Sequence, residues 1–292
     1  MKKTIFISAL ILIFALSYVN ASNLEVQTQI KELASKLNAQ ISVYAKCDQT
    51  EICVNSDDKM PLFSVFKVFV ATSYLKQLEK QNLSLEEPIK INYSKLNQNT
   101  YSPMLKDFNS DFELTAAQLI HYSIALSDNN ANDLLMEFCG GAGQIQKDLK
   151  KAGLGMIQIA ASEDEMHANL SKCYDNCCST RAICKFYEKL ISGKLLKTNE
   201  TDFLIKTLYA TSTGIGKLRS GIPEEINLAH KTGAGPRIQG KKLGDNDSGF
   251  FYLKNGKICY LAVFIKDSFE TDEADAAFIS ECSNLIFQEF NR

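Results

Sequence analysis

The sequence has little excess charge and few residues that break or punctuate a fold. Of its 292 residues, 32 are Lys or Arg and 34 are Asp or Glu, and no stretch is strongly basic. This balance argues against a nucleic-acid-binding or membrane-surface protein. With only five prolines, no low-complexity tract and no internal repeat, the chain is expected to be ordered throughout. Its three histidines form no set typical of a metal site, so we expect neither metal nor cofactor.

The first 21 residues have the pattern of a secretory signal peptide. Lys2 and Lys3 precede an apolar stretch from Ile5 to Tyr18, and Val19-Asn20-Ala21 is a small-residue cleavage site. The apolar stretch is short for a transmembrane helix, which needs about 20 residues, so cleavage is favoured over anchoring. We therefore expect a periplasmic or secreted protein with no stable membrane association.

Nine cysteines are many for a chain of this length, and in an exported protein they indicate disulfide bonds. Their odd number leaves at least one thiol unpaired. Cys47 and Cys53 flank a polar turn between two predicted strands, so we expect a disulfide across this hairpin. A second group lacks the paired spacing of a zinc site, which favours a local disulfide or buried thiols. It consists of Cys173, Cys177, Cys178 and Cys184.

Hydrophobic periodicity predicts strands near both ends of the chain and helices between them. The predicted strands are residues 40–45, 52–55, 226–230, 249–253 and 258–265. The predicted helices are residues 63–78, 115–126, 129–138, 143–152, 180–190, 200–209 and 272–290. This order predicts an α+β fold of two lobes, with an antiparallel five-stranded sheet flanked by helices and an all-helical lobe. The sheet lobe would comprise residues 22–60 and 210–292, and the helical lobe residues 61–209.

Three short motifs stand in one order along the chain, and their combination is more informative than any one of them. They are Ser64-Val65-Phe66-Lys67, Ser127-Asp128-Asn129 and Lys231-Thr232-Gly233. A second Ser-x-x-Lys match, which begins at Ser73, shows how readily the first arises by chance. A separation of three residues places the hydroxyl of Ser64 and the amine of Lys67 on one helix face. Apolar neighbours would desolvate this amine and ease its deprotonation, which activates the serine.

The other two motifs supply a proton-relaying hydroxyl and a cationic anchor. Ser127 precedes a predicted helix, and Lys231 emerges from a predicted strand as a fixed charge for a carboxylate. Thr232 adds a donor, and Gly233 lets a substrate approach the backbone. Each motif alone is explained as well by a capping turn or a strand end. In this order they are typical of serine enzymes that open β-lactam rings or cleave D-alanyl peptides.

The chain resembles a class A serine β-lactamase across nearly its whole mature length. Tyr101-Ser102-Pro103 is similar to the stretch that forms an aromatic wall at the cleft mouth. Residues 162–167, Ser-Glu-Asp-Glu-Met-His, are similar to the Ω-loop segment that carries a water-activating carboxylate. Other features resemble the extended-spectrum subgroup known from Gram-negative bacteria. They are Asp133, His167, Tyr174-Asp175-Asn176 and residues 229–233 and 262–268.

The resemblance implies a role for each matched residue. Ser64 attacks the lactam carbonyl, with its own amide and that of Ala234 as the oxyanion hole. Lys67, or Glu163 through a water, is the acylation base, and Glu163 activates the water that frees the enzyme. Ser127 passes a proton to the lactam nitrogen, Asn129 binds the acylamino side chain, and Tyr101 lines the cleft mouth. His167 orients the water. The substrate carboxylate is bound by Lys217, Lys231, Thr232 and Gly233.

Some residues depart from the family pattern or have more than one interpretation. Lys217 stands where many relatives place an arginine, which should weaken the carboxylate clamp. The sequence Asn176-Cys177-Cys178 replaces an aromatic residue near the end of the Ω-loop, so a disulfide there is one possibility. His167 either orients the water or fills the loop interior. We expect His121 in the core and His230 as a tuning contact beside the lysine.

Two rival functions share these motifs. A D-alanyl-D-alanine peptidase forms the same acyl-enzyme, and a penicillin sensor is acylated without turnover. Glu163 argues against the peptidase, which lacks a carboxylate aimed at deacylating a β-lactam adduct. Sensors are usually tethered to the membrane, whereas this chain shows only a removable signal. The resemblance therefore favours a monomeric enzyme whose partner is a small-molecule β-lactam.

Overall fold

The computed structural model describes residues 23–292, and the predicted signal segment lies outside these residues. Ten strands and ten α-helices occur within them. The strands are β1 (Gln40–Cys47), β2 (Thr50–Val54), β3 (Met60–Pro61), β4 (Pro88–Ile91), β5 (Phe112–Thr115), β6 (Cys177–Cys178), β7 (Leu228–Ala234), β8 (Arg237–Ile238), β9 (Lys241–Tyr252) and β10 (Ile258–Ser268). The helices are α1 (residues 23–34), α2 (Lys67–Gln81), α3 (Met104–Asp107), α4 (Ala116–Ile124), α5 (Asn129–Phe138), α6 (Ala142–Lys151), α7 (Glu163–Ala168), α8 (Thr180–Ile191), α9 (Thr198–Tyr209) and α10 (Asp272–Phe290).

The main sheet is antiparallel and combines strands from both ends of the chain. Its order is β2–β1–β10–β9–β7, and the short β8 pairs with β9 on the same side as β7. The predicted α+β fold is confirmed, although β8 makes this sheet six-stranded rather than five-stranded. The hydrophobic pattern did not predict the two small two-stranded sheets, β3–β6 and β4–β5. The predicted lobe boundaries, between residues 60 and 61 and between 209 and 210, stay predictions.

Strand β10 is apolar on both faces because both faces of the sheet are covered. Ala262 and Phe264 belong to one hydrophobic cluster, which extends into the helices of the middle of the chain. Val263 and Ile265 belong to a second cluster, which includes residues of α1 and α10. Since side chains alternate along a strand, a single strand supplies both cores. Helix α1 was missed by the sequence analysis.

The helix that carries the first motif is more deeply buried than a surface helix. Every residue of α2 from Lys67 to Leu75 is buried, which explains why its pattern is apolar nearly all round. The structure corrects its predicted start at Phe63. Residues Phe63–Phe66 form a 3-10 turn, and the α-helix begins at Lys67.

Strand β9 is longer than predicted. The hydrophobic pattern did not include its first half, because that half is polar. Residues Asp245 to Ser248 are all buried, although this composition is typical of a turn. The Asn246 amide donates to the carbonyl of Pro61 at 2.7 Å, and Asp247 accepts from Nδ1 of His230 at 2.9 Å. Buried polar groups are tolerated when they have such partners, so these residues continue the strand.

The predicted Cys47–Cys53 disulfide is wrong. The register of β1 and β2 places Cys47 opposite Thr50, and Tyr44 opposite Cys53. Because successive side chains alternate between the two faces of a strand, Cys47 and Cys53 point to opposite faces of the sheet. All nine cysteines are free thiols in the structure.

The second group of cysteines consists of buried thiols, one of the two expected alternatives. It comprises Cys173, Cys177, Cys178 and Cys184. Cys177 and Cys178 form β6, whose pairing with β3 joins the end of the Ω-loop to the chain just before the nucleophile motif. His121 is exposed, so its predicted place in the core is wrong. Within residues 23–292, no helix has the length and apolar character needed to cross a bilayer, and no cluster of three potential metal ligands occurs.

Substitution of Gly221 tests the packing of α10 against the 3-10 turn Leu218–Gly221. A β-carbon at Gly221 would overlap the carbonyl oxygen of Ser280 and lie 2.7 Å from the backbone nitrogen of Asn284. We expect Gly221→Ala to lower the free energy of unfolding by about 1–3 kcal/mol. Calorimetry should show a melting temperature lower by roughly 2–8 °C. Gly216→Ala is the control, since a β-carbon there meets nothing within 4 Å; equal effects of the two substitutions would contradict this interpretation.

Candidate active site

One cleft of about 330 Å³ gathers most of the predicted site residues. The residues that line it and were predicted are Ser64, Tyr101, Ser127, Asn129, Glu163, Lys217, Thr232 and Ala234. Phe63, Thr213 and Gly214 line it as well and were not predicted. Lys67, Lys231 and Gly233 are buried and lie outside this lining. The three motifs, separated by up to 167 residues between Ser64 and Lys231, therefore converge at one place.

The nucleophile lies in a strained and tightly packed turn. Phe63, immediately before Ser64, has a φ of 45°, a value uncommon for a residue other than glycine. Its ring occupies the space that a β-carbon on Gly235 or Gly244 would need. Both positions must stay without a side chain, so the ring fixes the turn against β7 and β9. Such over-determined strain is common at active sites.

Gly233 has a packing role that differs from the predicted one. A β-carbon at this position would overlap the carbonyl oxygen of Leu62 and lie 3.1 Å from the nitrogen of Val65. The glycine therefore lets β7 approach the turn that carries Ser64. The sequence analysis had assigned this close approach to the substrate.

Lys67 is fully buried but lies in a polar environment rather than the predicted apolar one. Its Nζ donates to the carbonyl of Ser127 at 2.7 Å and to Oδ1 of Asn129 at 2.6 Å. Oε1 of Glu163 lies 3.1 Å from the same nitrogen. Three acceptors match the three N–H donors of an ammonium group. Lys67 thus connects the helix of the first motif, the second motif and the Ω-loop.

Ser127 links the second motif to the third. It has a φ of 59°, and its hydroxyl accepts a hydrogen bond from Nζ of Lys231 at 2.8 Å. Lys231 is fully buried, and its only other acceptor among the described residues is the carbonyl of Thr232, at 3.0 Å. Burial lowers the pKa of Lys231 well below its usual value, and the nearby charge of Lys67 lowers it further. A substrate anion would relieve this concentration of positive charge.

Glu163 lies beside the nucleophile because of the way α7 begins. Its Oε1 accepts from the hydroxyl of Ser64 at 3.4 Å. Ser162 and Glu165 form a capping box at the start of α7. The carboxylate of Asp133, on α5, accepts from the backbone N–H groups of Glu163 at 2.9 Å and Asp164 at 2.8 Å. Asp133 thus positions the segment that carries the Glu163 carboxylate, a contact that its match to the family pattern did not indicate.

Asn176 closes the Ω-loop from its other end. The side chain is fully buried, and its Oδ1 accepts from the N–H groups of Ala160 at 2.7 Å and Ala161 at 3.0 Å. Its backbone carbonyl accepts from the N–H of Leu62 at 2.8 Å. These contacts and the β3–β6 pairing hold the loop, so the suggested disulfide among the neighbouring cysteines is not what stiffens it.

The cleft mouth is organised around Asp128. This buried carboxylate accepts from the hydroxyl of Ser102 at 2.7 Å, from the N–H of Met104 at 2.7 Å and from the N–H of Ala131 at 2.8 Å. It thereby ties the 101–104 segment to the start of α5. Tyr101, which is 56% exposed, stands at the cleft edge as an aromatic wall.

The side-chain amide of Asn129 is already engaged on both sides. Its Oδ1 accepts from Lys67, and its Nδ2 donates to Oγ1 of Thr100 at 2.8 Å. These two contacts fix the orientation of the amide at the cleft edge. Thr100 is a neighbour that the motif search had no means to find.

Lys217 reaches the cleft, but its charge is paired. Its Nζ donates to Oδ1 of Asp245 and lies 3.4 Å from the carbonyl of Asn246. The lysine is 9% exposed, and the partner carboxylate is buried. The weak contribution to a carboxylate clamp stays a prediction, and this pairing supplies a physical reason for it.

Neither remaining histidine lies in the cleft lining. His167 is exposed on α7, so it does not fill the loop interior, and its role in orienting the water stays a prediction; Met166 is the buried residue of this helix. His230 is buried on β7 with its Nδ1 2.9 Å from Asp247. It supports the strand next to Lys231.

Comparison with known proteins identifies the family. A model of the β-lactamase enzyme family matches residues 25–290. The chain belongs to this family. A β-lactamase of Bacteroides uniformis is 34% identical over 271 residues, covering 90% of each chain. The extended-spectrum β-lactamase PER-1 of Pseudomonas aeruginosa is 30% identical and covers 97% of this chain and 96% of its own. The solved structure of a class A β-lactamase from Bacteroides cellulosilyticus has a TM-score of 0.89 and 32% identity, covering 92% of this chain and 98% of its own.

The resemblance to class A β-lactamases is therefore confirmed by relatives that match over nearly the whole described chain. Membership explains why the ordered motifs were more informative than composition.

Asp133 provides a pH-dependent test of how α7 is held. Burial raises the pKa of Asp133 to about 6, and the charges of Glu163 and Asp164 add to this effect. A carboxyl with a raised pKa stabilises the fold fully below its unfolded pKa of about 4, and this stability is lost as the pH rises through 6. The free energy of unfolding of the wild type, relative to Asp133→Asn, should thus fall by roughly 2–3 kcal/mol between pH 3.5 and pH 7.

Urea unfolding of both proteins at several pH values measures this difference. A constant difference between the wild type and Asp133→Asn would show that this carboxyl does not titrate as the structure indicates.

Proposed function

We propose that this protein is a serine β-lactamase, which hydrolyses the β-lactam ring of penicillins and cephalosporins through an acyl-enzyme and so confers antibiotic resistance. The observation that carries the proposal is the position of one carboxylate oxygen. Oε1 of Glu163 lies 3.4 Å from Oγ of Ser64 and 3.1 Å from Nζ of Lys67. A base at this place can serve both the nucleophile and a water that attacks the ester.

Acylation begins with attack of Ser64 on the lactam carbonyl. The serine proton passes to a base, either Lys67 or Glu163 through a water. If Lys67 is that base, it must first give up a proton, and Glu163 is the nearest carboxylate that can take one. The carbonyl oxygen becomes an anion facing the backbone N–H groups of Ser64 and Ala234.

Opening of the ring requires a proton on the lactam nitrogen. Ser127 is suited to deliver it, because its hydroxyl oxygen accepts from Lys231 and its own proton remains available to a substrate. Lys231 can replace the proton that Ser127 loses. With Thr232, Lys231 also faces the substrate carboxylate, and a charge-assisted hydrogen bond to such a group is worth about 1.5–3 kcal/mol.

Deacylation then distinguishes a β-lactamase from related acyl-enzymes. A water attacks the ester carbonyl of acylated Ser64, Glu163 takes the water proton, and the ester bond to Oγ breaks with return of a proton to Ser64. This step argues against a D-alanyl-D-alanine peptidase and against a non-catalytic sensor. Neither of these proteins needs the carboxylate of Glu163, which Asp133 and the α7 capping box hold beside the serine.

We also propose that the protein acts after export, in the periplasm or outside the cell, as a monomer that needs no metal. Residues 1–21 supply the signal for export. The serine, lysine and glutamate side chains supply nucleophile and bases without a Lewis acid. Activity towards benzylpenicillin should accordingly be insensitive to a chelator.

Replacement of Glu163 tests the deacylation step. Glu163→Gln keeps the size of the side chain but removes the base, so we expect hydrolysis of benzylpenicillin to slow by about 10²–10⁴-fold. Ser64 should still be acylated, since Lys67 remains as a base. Intact-mass spectrometry should therefore show a penicillin adduct that accumulates, and the kinetics a burst followed by little turnover.

Ser64→Ala is the matched control and should form no adduct at all. Unchanged steady-state turnover in Glu163→Gln would falsify the assigned role of the carboxylate. An adduct that persists in the wild type, without turnover, would favour the sensor or peptidase instead.

A further inference from the structure

Two cysteines face each other on adjacent strands of the main sheet. The register of β1 and β10 places Cys47 directly opposite Cys259. Residues directly opposite in an antiparallel pair point to the same face, with β-carbons about 4.5–5.5 Å apart. A disulfide needs β-carbons about 3.5–4.5 Å apart and tolerates α-carbons 4.4–6.8 Å apart. Opposed α-carbons in an antiparallel pair, about 4.5–5.5 Å apart, already lie within the range that a disulfide tolerates. A small approach of the two strands would bring the β-carbons into range as well.

Burial and charge at the pair agree with a direct contact between the sulfurs. Both side chains belong to the hydrophobic cluster between the sheet and α10. The contact with Cys259 lowers the pKa of Cys47, and the same contact raises the pKa of Cys259. A thiol that donates to its neighbour favours the thiolate form of that neighbour, and a thiolate is the form that attacks a disulfide.

The pair also lies where an oxidant can reach it on opening of the sheet end. Cys47 and Cys259 form the last pair of the β1–β10 ladder, next to the turn at Asp48. Lys257 and Asp48 form an exposed ion pair of 3.1 Å at the same end. Opening here disrupts few contacts compared with the sheet centre.

We propose that Cys47 and Cys259 form a structural disulfide by exchange with a disulfide-bearing oxidant, either a small molecule or a protein. The Cys47 thiolate attacks one sulfur of the oxidant and releases one thiolate. The Cys259 thiolate then attacks the Cys47 sulfur of the mixed disulfide and releases the second. The oxidant is reduced to two thiols, which take up the two protons that the cysteines give up.

Such a bond would join the first strand to the last strand of the chain. It would close a loop from residue 47 to residue 259, so it would restrict the unfolded chain strongly. We expect oxidation to raise the melting temperature by about 5–10 °C.

Peptide mapping tests the pairing directly. The protein is equilibrated with reduced and oxidised glutathione in mild urea, its free thiols are blocked, and it is digested with trypsin without reduction. A cross-link between residues 47–59 and 258–266 is expected. Because the first peptide also contains Cys53, the same cross-link must persist in Cys53→Ser and disappear in Cys259→Ala. Oxidation should raise the melting temperature of Cys53→Ser but not that of Cys259→Ala.

Two outcomes would overturn the proposal. One is recovery of Cys47 with a blocked, unbridged thiol after equilibration with the oxidant, in the wild type and in Cys53→Ser alike. The other is a bond that joins Cys47 to Cys53, or Cys259 to Cys282 of the same cluster.

A second, independent observation concerns substrate recognition. Asp245 lies between two lysines, with Lys217 on Oδ1 and Lys242 on Oδ2 at 2.8 Å. Lys242 also lies 3.2 Å from Asp272 at the surface. A buried carboxylate behind the cleft lining thus occupies the lysine that is expected to bind the carboxylate of a substrate.

We infer that Asp245 is a specificity-determining residue, which withdraws Lys217 from anionic substrates; this inference rests on the proposed β-lactamase function. A substrate carboxylate has to compete with Asp245 for the lysine, so Lys231 and Thr232 provide most of the anchoring. Removal of the Asp245 charge would release Lys217 to the cleft.

Steady-state kinetics with benzylpenicillin, a carboxylate, tests this inference. Asp245→Asn should lower KM by about three- to tenfold with little change in kcat, and the added substitution Lys217→Met should abolish the gain. Asp272→Asn is the matched control, since it removes a carboxylate from Lys242 without touching Lys217.

An unchanged or raised KM in folded Asp245→Asn, or a gain that survives Lys217→Met, would overturn the inference. Absence of turnover in the wild type would count against the proposed function instead. In that case, the rate of adduct formation in Asp245→Asn, followed by intact mass, still decides the role of Asp245.

Discussion

The burial of two lysine ammonium groups is the constraint on which the rest of the site depends. A charge removed from water is tolerated only where acceptors replace the lost hydration. Lys67 finds them on Ser127, Asn129 and Glu163, and Lys231 on Ser127 and the adjacent backbone. These acceptors lie at the start of a helix and in the Ω-loop, which are distant in sequence from the lysines. The ammonium groups can therefore be buried only where these elements meet. The same contacts bring nucleophile, proton relay and base together.

Close approach of the backbones makes this convergence possible, and it depends on residues without chemistry of their own. Gly233 lets β7 reach the turn that carries Ser64, while Gly235 and Gly244 leave space for the ring of Phe63. The positive φ of Phe63 is maintained because the surrounding packing leaves the ring one place. A site assembled in this way has little freedom to relax, which suits a reaction that needs preorganised groups.

The lysines at the cleft differ in the groups that balance their charge. On one side Lys67 and Lys231 lie close together, and burial, with the charge of Lys67 added, lowers the pKa of Lys231. On the other side Asp245 neutralises Lys217 inside the protein. Lys217 has the same charge as the arginine that many relatives place here. Its pairing with Asp245, however, decides where that charge is available. The sequence motif for anion binding is silent on this difference.

Much of the site was predictable from local sequence, because chemistry at short spacing is a local property. The ordered motifs identified Ser64, Lys67, Ser127 and Lys231, and periodicity predicted helices such as Asn129–Phe138 and Asp272–Phe290 with the bounds observed. Tertiary contacts decided the remainder. Strand register turned Cys47 away from Cys53 and towards Cys259, and buried partners made a strand of the polar run Asp245 to Ser248. Register and burial depend on residues far away in the chain, so no local pattern contains them.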